Sequence, residues 1–395
     1  MHVVDEPLWT CAWSSDGKVL AVAGNDRVIR IFHREDESLR LVVELKGAHD
    51  KSIRCLAFCP RRKQLAAASF DGTVSIWTRR EGTWSCTATL EGHENEVKTV
   101  GWAVFAGEEG VDGDAEEQVR LVTCGRDRTV WVWAVESRDQ DVGEDEEMDF
   151  ECLAVLQEHE QDIKCMAWHP SQPFFLTGSY DETVRLWAPA PEGLRALDDW
   201  GCLGCLPGLA AAGTVWSIAF SPEGTAVAVA TASGACYIYA VPERNWADVR
   251  CWELMRRVAI FEATEVGGIL VESLVAGSGC CSSQDAVAES EEESGCCGGG
   301  PALNVAQGSG SSCCKQERKM ANFVLASPEL YSVSWLTGQS LVVGTALGQV
   351  VRVTEDGTEA LLGIEHGNEV NCVAACTERL FVSCDDNGCL LFNKL

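Results

Sequence analysis

One pattern recurs along the chain with a period of about 45 residues, and it constrains the fold more than any other feature of the sequence. Four aspartates each lie six residues before an aromatic residue: Asp26 before Phe32, Asp71 before Trp77, Asp127 before Trp133 and Asp181 before Trp187. The first two aspartates are 45 residues apart, and acidic insertions lengthen the next two intervals to 56 and 54 residues. The recurrence predicts a row of similar units that bury their apolar faces on one another.

A histidine precedes three of these aspartates, and the three are His49, His93 and His159. The separation is 22 residues from His49 to Asp71 and from His159 to Asp181, and an insertion lengthens the third to 34. A buried carboxylate needs a hydrogen-bond partner to offset its loss of water. Because the pair recurs without a recurring nucleophile, we interpret it as a structural hydrogen bond and not as a catalytic set.

Apolar or alternating runs lie between each histidine and its aspartate. The first run covers residues 53–58, 97–102 and 163–168 in the three repeats, and a second run covers residues 64–69. Turn signals such as Asp71-Gly72 follow these runs, as is typical of short antiparallel strands joined by tight turns. Four such strands per repeat build one blade of a propeller.

Together these features resemble the WD40 family, in which each blade buries a His–Asp hydrogen bond beside a tryptophan. The resemblance implies an all-β, seven-bladed WD40 β-propeller that occupies residues 1–395 as a single domain. The expected structural residues are His49, Asp71, Trp77, His93, Asp127, Trp133, His159, Asp181 and Trp187. Threonine or alanine follows each tryptophan, so the Trp-Asp dipeptide is missing. Some ubiquitin-ligase receptors of this family carry Asp and Arg there, and that alternative loses support.

Three later repeats are weaker but in register, and they cover residues 216–241, 331–353 and 366–392. The places of the aspartate and the aromatic residue hold Ser233 and Tyr239, then Leu347 and Val353, then Asn387 and Asn393. We therefore expect the last three blades to lack the full buried network and to be looser.

A long insertion separates the fifth and sixth repeats. Residues 242–262 can supply an outer strand, whereas residues 265–325 are rich in Gly, Ser, Glu and Cys without alternation. This composition predicts a mostly disordered, low-complexity loop between blades 5 and 6. Propellers are commonly closed by an N-terminal strand that completes the last blade, and residues 1–5 are too short for that. We expect either incomplete closure or a start upstream of Met1.

Charge and hydropathy argue against several functions. The formal net charge of −29 repels the phosphate backbone of nucleic acids. The sequence has no run of 18 apolar residues, and its start lacks the basic and apolar segments of a secretory signal. We expect a soluble protein with no membrane contact, located in the cytoplasm, with the nucleus as a further compartment.

Cysteine usage fits a reducing compartment. The chain has 21 cysteines, an odd number, and many of them lie in apolar runs. Cys11, Cys55, Cys165 and Cys372 fall in or near one position of the repeat, where small buried residues are wanted. The sequence therefore favours reduced thiols that pack in the core.

No enzyme signature is present. The phosphate-binding G-x-x-x-x-G-K-[ST], the nucleophile G-x-S-x-G and calcium-loop spacings are missing, so we expect no catalysis and no cofactor. The cysteine pairs at 280–281, 296–297 and 313–314 suit a metal ion poorly, because adjacent side chains project apart. The acidic runs at 108–117 and 136–151 are predicted to be solvated loops.

Five segments carry a closer resemblance, and they are residues 68–77, 90–102, 121–133, 155–172 and 177–187. Their runs LEGHENEVKTVGW and CGRDRTVWVW resemble the WD-repeat subunit of the cytosolic iron-sulfur protein assembly targeting complex. The resemblance implies a scaffold that holds no cluster, joins the other subunits and recruits apo iron-sulfur proteins. It also assigns partner binding to Arg126. The alternatives are a generic WD40 adaptor of a ubiquitin-ligase or chromatin complex, and an enzyme or metal carrier.

Two residues of each repeat are expected at the narrow opening of one face. The first set is Trp9, Arg54, Lys98, Lys164, Trp216, Tyr331 and Asn371, and the second set is Asn25, Phe70, Arg126, Tyr180, Ala232, Ala346 and Asp386. Arg54, Lys98, Arg126 and Lys164 would then cluster beside the aromatic residues Phe70, Tyr180, Trp216 and Tyr331.

Such a patch predicts an acidic ligand with an aromatic side chain beside it. The resemblance implies client C-terminal tails that end in an acidic residue and an aromatic one. Arg54 and Arg126 are the expected anchors, because arginine can bind a carboxylate with two parallel hydrogen bonds. The alternative is a patch that its own acidic loops neutralise.

Overall fold

A computed structural model describes residues 2–36, 38–109, 115–135, 149–190, 199–266, 269–274, 329–337, 340–354 and 357–395. Within these ranges the chain forms 29 β-strands and one short 3-10 helix, Val249–Cys251. The strands build seven antiparallel sheets and one separate two-stranded hairpin. Consecutive sheets pack through their first strands, and the last packs on the first. The prediction of an all-β seven-bladed propeller is confirmed.

The first four blades have four strands each, in chain order. Blade 1 consists of β1 (Leu8–Trp13), β2 (Val19–Gly24), β3 (Ile29–Glu35) and β4 (Ser38–Leu45). Blade 2 consists of β5 (Ile53–Phe58), β6 (Gln64–Ser69), β7 (Val74–Arg80) and β8 (Thr83–Leu90). Blade 3 consists of β9 (Val97–Glu109), β10 (Ala115–Gly125), β11 (Val130–Val135) and β12 (Phe150–Leu156). Blade 4 consists of β13 (Ile163–Trp168), β14 (Phe175–Ser179), β15 (Val184–Pro189) and β16 (Trp200–Cys205).

The remaining strands form three blades and the hairpin. Blade 5 consists of β17 (Val215–Phe220), β18 (Ala226–Thr231), β19 (Ala235–Ala240) and β20 (Glu253–Ala259). The hairpin consists of β21 (Phe261–Val266) and β22 (Ile269–Leu274). Blade 6 consists of β23 (Leu330–Thr337), β24 (Ser340–Thr345), β25 (Gln349–Thr354) and β26 (Gly357–Glu365), and blade 7 of β27 (Val370–Ala375), β28 (Leu380–Asp385) and β29 (Leu390–Lys394).

Apolar side chains fill the seams between neighbouring blades. The second strand of a blade lies inside its sheet with a neighbouring blade on either side, and β6 is buried at all six positions. Small residues at this strand allow close packing, as with Ala66 and Ala68 against Trp102 of the next blade. The indole N–H of Trp102 donates to the Ala57 carbonyl oxygen across the seam at 3.1 Å, so the polar edge of the ring is satisfied.

The ring closes without a fourth strand in blade 7. Within the described residues blade 7 has three strands, and the N-terminal segment adds a bridge between His2 and Cys389 and a backbone hydrogen bond from the Val3 N–H to the Gly388 carbonyl oxygen at 2.9 Å. Trp13 of blade 1 donates to the Ala374 carbonyl oxygen of blade 7 at 3.2 Å, as Trp102 does at its own seam. The tryptophan contact at the seam between blades 7 and 1 is therefore like that of Trp102, although no fourth strand is shared among the described residues.

Strand positions follow the sequence prediction closely, with one difference in blade 3. The runs at 53–58, 64–69 and 163–168 are β5, β6 and β13, and the outer strand expected within 242–262 is β20. The run at 108–117, predicted to be a loop, is partly strand because β9 and β10 extend into it and pair at Glu109 and Ala115. The buried ring of Phe105 lies 5.5 Å from that of Trp168, and this packing helps to stabilise the longer hairpin.

The predicted insertion at 265–325 also begins differently. Residues 265–266 and 269–274 belong to the hairpin of β21 and β22, so irregular chain does not start at 265. The sequence signal was available, since apolar β-branched runs flank Gly267-Gly268, a dipeptide favoured in two-residue hairpin turns. Residues 275–325 with their three cysteine pairs, and residues 136–148 of the acidic run, lie outside the described residues.

Candidate partner-binding face

The top face, as we call it here, is the face at which the first strand of every blade begins. In blades 2, 3 and 4 the residue before the turn aspartate donates its backbone N–H to the carbonyl that precedes the first strand. These bonds run from Phe70 to Ser52 (3.0 Å), from Arg126 to Glu96 (2.8 Å) and from Tyr180 to Asp162 (3.0 Å). Because they are backbone bonds, they hold the two predicted sets of side chains next to each other whatever the residue type.

Three cations of the first set lie over aromatic rings. Measured to the ring centroid, the Arg54 guanidinium carbon is 5.5 Å from Trp9, Lys98 Nζ is 4.3 Å from Phe70 and Lys164 Nζ is 3.7 Å from Tyr180. All three distances are within the range of a cation–π attraction, which strengthens when the cation is partly removed from water. The rings therefore hold three positive charges close together at the top face.

A row of rings continues from blade 4 to blade 6. Trp216 lies edge-on to Tyr180, with centroids 5.6 Å apart, and edge-on to Tyr331, with centroids 5.2 Å apart. Lys164 Nζ is 5.0 Å from the Trp216 ring as well. All three rings are half-buried, so part of each faces solvent. This row is an apolar surface beside the cations.

The eight predicted binding residues all lie at this face, and six of them contact another member through a ring. Arg54 contacts Trp9, which belonged to the first set but was not among the eight. Arg126 lies at the margin with its side chain about half exposed. The structure therefore brings the predicted patch together, with Arg126 its most peripheral member.

Part of the positive charge is balanced inside the protein. Glu96 pairs with Lys98 and lies 3.3 Å from Arg126 Nη1. Burial on its own raises the pKa of Glu96, but the pairing with Lys98 outweighs it and the net pKa lies below the ordinary value. The alternative of a self-neutralised patch thus holds for these two cations. Arg54 and Lys164 have no ion-pair partner in the part of the chain that the structure describes.

Lys164 is the most perturbed of these cations. Burial, followed by repulsion from Lys98 and Arg54, lowers its pKa to about 7. The side chain is therefore close to half protonated at neutral pH. A carboxylate placed beside it would favour the charged form and relieve the repulsion.

Acidic residues lie at the other side of the top face. Tyr331 has a raised pKa because of burial and because Glu369 and Glu329 are near it. Burial, Asp386 and Glu329 raise the pKa of Glu369. Glu329 and Glu369 were not predicted from the sequence, although both directly precede a first strand, the position that holds Glu96 and Asp162 in blades 3 and 4. The top face is thus basic over blades 2–4 and acidic over blades 6 and 7.

The expected histidine, aspartate and tryptophan residues lie below this face in continuous hydrogen-bond chains. In blade 4 His159 Nδ1 is 2.7 Å from Asp181, and its Nε2 is 2.7 Å from Thr177 Oγ1. The Trp187 indole N–H donates to the same hydroxyl at 2.7 Å. The chain therefore ties the turn, the second strand and the third strand together.

Blades 2 and 3 repeat this arrangement. The distances from histidine Nδ1 to aspartate are 3.0 Å for His49 and Asp71 and 2.7 Å for His93 and Asp127. Trp77 donates to Ser75, and Trp133 to Thr123, and each of these hydroxyls also contacts the histidine of its blade. Hydroxyl residues that link histidine to tryptophan were not singled out in the sequence.

These aspartates are held in their ionised form. Burial on its own raises the pKa of Asp71 and Asp181, but hydrogen bonds from His49 and His159 outweigh it, and both pKa values lie well below the ordinary value. Burial lowers the pKa of His159, although Asp181 opposes that effect. A neutral, buried histidine whose two nitrogens are both occupied suits a structural role.

Blade 7 differs from its prediction. His366 Nδ1 lies 2.9 Å from Asp385 and its Nε2 2.8 Å from Ser383, so this blade keeps a His–Asp pair. The aspartate comes from the end of β28, two residues before Asn387 at the expected place. Asn393 occupies the position of the tryptophan, and its side-chain amide donates to the Ser383 hydroxyl at 3.3 Å. Blade 7 was expected to lack the full buried network, and this was wrong for the His–Asp pair, because a strand-end carboxylate reaches the histidine.

Blades 5 and 6 have no His–Asp pair among the described residues. Ser233 bonds to Thr231 at 2.9 Å, and Tyr239 donates to the Pro207 carbonyl oxygen at 2.7 Å. Leu347 stands at the aspartate position of blade 6 and is 54% exposed, so it cannot replace a buried turn contact. This agrees with the expectation that these two blades lack the full buried network.

Metal binding and membrane crossing can also be examined in the described residues. In the described ranges, no group of three or more His, Cys, Asp or Glu side chains is arranged to hold a metal ion. None of the helices in the described part of the chain has the length and hydropathy needed to cross a membrane.

Seven sheets around a ring, with His–Asp pairs under the turns, define a repeat propeller of the WD40 class. The family model described as WD domain, G-beta repeat matches residues 2–33, 40–78, 84–134, 150–188 and 200–239, together more than half of the chain.

Curated relatives narrow the class. A probable cytosolic iron-sulfur protein assembly protein 1 of Vanderwaltozyma polyspora is 34% identical over 308 residues, 60% of this chain and 82% of the relative. One of Neurospora crassa is 31% identical over 242 residues, 45% of this chain and 46% of the relative. A probable cytosolic Fe-S cluster assembly factor of Schizosaccharomyces japonicus is 39% identical over 127 residues, 32% of this chain and 18% of the relative. This chain thus spans less than half of the last two.

The chain belongs to the WD40 repeat family and, within it, to the group of cytosolic iron-sulfur protein assembly protein 1.

Proposed function

We propose that the protein is a non-catalytic scaffold of the cytosolic iron-sulfur cluster targeting complex. It recruits apo iron-sulfur client proteins through its top face and joins the other subunits of that complex. The names of its relatives support a location in the cytosol, and the nucleus is a further compartment in this proposal. Nucleic acids and membranes are not among the proposed partners, in keeping with the net charge of −29.

The single observation that carries the proposal is the pair of cations without an acidic partner. Arg54 and Lys164 lie over aromatic rings at one face of a strongly acidic protein, and no described carboxylate forms an ion pair with either. Cations held together in this way raise each other's energy, and this repulsion adds to burial in lowering the pKa of Lys164. An anionic ligand removes that repulsion, and this favours binding of a carboxylate.

The ligand proposed is a client C-terminal tail with an acidic residue and a terminal aromatic residue. Its terminal carboxylate lies between Arg54 and Lys164, with the guanidinium as a two-bond donor. Its aromatic side chain packs on the row that includes Trp216 and Tyr331. Its acidic side chain lies toward Lys98 and Arg126 and competes with Glu96 for them. Arg126 is then a secondary contact.

Fluorescence anisotropy with a labelled ten-residue peptide that ends in Asp-Trp tests this proposal. We expect Arg54→Met and Lys164→Met each to weaken binding by at least about tenfold, because a desolvated charge contact contributes more than about 1.4 kcal/mol. An amidated peptide, which lacks the terminal carboxylate, should lose a similar amount.

Arg61→Met is the matched control. This arginine follows β5 at the opposite face, where it pairs with Glu117, so the same substitution there should leave peptide affinity unchanged. If Arg54→Met and Arg61→Met bind the peptide as wild type does, the top face is not the tail site. Co-purification of complex subunits and apo iron-sulfur enzymes then tests the scaffold function separately.

A further inference from the structure

The seam between the last and first blades has a chemistry that the other seams lack. At four of the other seams, a small side chain at the third position of one first strand approaches the backbone of the fourth position in the next blade. Thr10 accepts from the Leu56 N–H at 3.3 Å, and Ser332 accepts from the Val373 N–H at 3.0 Å. The fourth position is apolar in blades 2–7, with Leu56, Val100, Met166, Ile218, Val333 and Val373.

Both of these positions hold cysteine where blade 7 meets blade 1. Cys372 occupies the third position of β27, and Cys11 occupies the fourth position of β1. The Cys11 thiol points at Cys372 with 3.6 Å between the sulfur atoms, and Cys372 Sγ lies 3.7 Å from the Cys11 carbonyl oxygen. Cys11 is 5% exposed and Cys372 is half-buried. Both are free thiols in this structure.

We propose that Cys11 and Cys372 are an oxidative modification site, which a hydroperoxide converts into a disulfide that joins the first and last blades. The sulfur atoms have to approach from 3.6 Å to the length of a disulfide, a movement of under about 1 Å for each. Rotation about the two side-chain bonds supplies movement of this size.

A third thiol prepares Cys372 for attack. Cys384 lies directly across from Cys372 in the pairing of β27 with β28. Hydrogen bonds from the Cys11 and Cys384 thiols lower the pKa of Cys372, and the positive charge of Arg54 adds to this. The hydrogen bond to Cys372 raises the pKa of Cys11, so the two partners differ as a nucleophile and a resolving thiol do.

The reaction with hydrogen peroxide proceeds in two balanced steps. The Cys372 thiolate attacks one peroxide oxygen, an S–O bond forms, the O–O bond breaks, and hydroxide leaves and takes up a proton. The Cys11 sulfur then attacks the Cys372 sulfur, an S–S bond forms, the S–O bond breaks, and water leaves with the proton of Cys11. Two thiols are oxidised, and one peroxide is reduced to two waters.

The location gives the disulfide a structural effect. Blade 7 has three strands in the described chain, so its union with blade 1 rests on side-chain packing and a few hydrogen bonds, with no shared strand. A bond between residues 11 and 372 spans nearly the whole chain and turns the ring into a covalently closed one. Long loops closed by a disulfide restrict the unfolded chain most.

The test uses the whole protein, reduced and then treated with an equimolar amount of hydrogen peroxide. We expect peptide mass spectrometry without reduction to find Cys11 linked to Cys372. The thermal unfolding midpoint should rise by roughly 5 °C and return after treatment with dithiothreitol. Mapping of the linked peptides separates this bond from oxidation of the exposed cysteines Cys86, Cys152, Cys205 and Cys251.

Three variants sharpen the test. Cys11→Ser should abolish the rise in the midpoint, whereas Cys384→Ser should keep it, because the serine hydroxyl can still donate to Cys372 and Cys384 takes no part in the proposed bond. Cys55→Ser is the matched control, because Cys55 holds the third position of blade 2 but faces the Val100 carbonyl oxygen at 3.7 Å. Free, alkylatable Cys11 and Cys372 after peroxide treatment of the wild type would overturn the proposal. So would a Cys372–Cys384 bond, which joins two strands of one blade and leaves the seam open.

Discussion

Blades 2–4 and blades 5–6 have the same four-stranded sheets but hold their turns in different ways. In the first group a chain of hydrogen bonds runs from aspartate through histidine and a hydroxyl to tryptophan. In the second group small hydroxyls, a tyrosine or an exposed leucine stand in these places. The strands form in both, so apolar packing at the seams is sufficient for the blade. The polar chain stabilises and orients the turns above it.

The two groups also differ in the charge that they present. The first strands of blades 2–4 carry Arg54, Lys98 and Lys164, and the acidic residues Glu329 and Glu369 lie at the starts of blades 6 and 7. The turns of blades 2 and 4 supply the rings of Phe70 and Tyr180, over which Lys98 and Lys164 lie. Like charges held close together need such fixed supports, because repulsion would otherwise move flexible side chains apart. The blades with the full polar chain and the proposed binding surface therefore coincide.

The largest expected effect comes from breaking one polar chain. His159→Ala removes a buried side chain together with its contacts to Asp181 and Thr177, and it should lower the free energy of unfolding by about 3 kcal/mol. Ser233→Ala, at the aspartate position of blade 5, should cost under about 1 kcal/mol. Urea denaturation of both variants measures the difference. Equal losses would mean that the two groups of blades are not held differently.

Blade 7 allows a test of which position, 385 or 387, supplies the partner of the buried histidine. Asp385 accepts hydrogen bonds from His366 and from the Asn387 and Cys389 N–H groups, so Asp385→Asn should destabilise the protein by about 2 kcal/mol. Asn387→Ala, at the place that the repeat assigns to aspartate, should change stability by under about 0.5 kcal/mol, since the side chain is exposed. Urea midpoints in the reverse order would contradict the assignment to Asp385.

The proposed tail binding should depend on pH through Lys164. Because its pKa is about 7, raising the pH from 6 to 8 removes the positive charge from most molecules before ligand binds. Peptide affinity should fall by about tenfold over this range, since the ligand must then restore the proton. Anisotropy titrations at both pH values measure this, and Lys164→Met should make the affinity nearly independent of pH. A wild-type affinity that does not change would argue against Lys164 as a contact.

The smallest effect expected is a loss of stability in mild acid. Burial lowers the pKa of His159 and His366 below the ordinary 6.5. As pH falls, these histidines therefore take up protons in the unfolded chain before they do so in the folded protein. Their contribution to the free energy of unfolding is fully present above about pH 6.5 and declines below it. Asp71 and Asp181, whose pKa values are depressed, add a second decline below about 4. Thermal midpoints measured from about pH 7.5 to about pH 3 check both declines, and His159→Asn should lessen the first.

Much of the fold and part of the site could be predicted from sequence, for reasons visible in particular residues. Strands such as β5 and β13 were located to the residue because their apolar runs end at turn signals. Arg54, Lys98 and Lys164 share one register position, and a closed ring brings equivalent positions together. Asp385 was missed because it lies two residues from the repeat position, and only its distance to His366 reveals the pair.

The sequence by itself determined the repeat, the number of blades and the register that brings cations and aromatic rings to one face, because these follow from local periodicity. The tertiary structure decided which charges are balanced. Glu96 lies between Lys98 and Arg126, whereas Arg54 and Lys164 contact aromatic rings and form no ion pair among the described residues. It also placed Cys11 beside Cys372 across the closing seam. Such pairings depend on distances between residues far apart in the chain, and no local pattern encodes them.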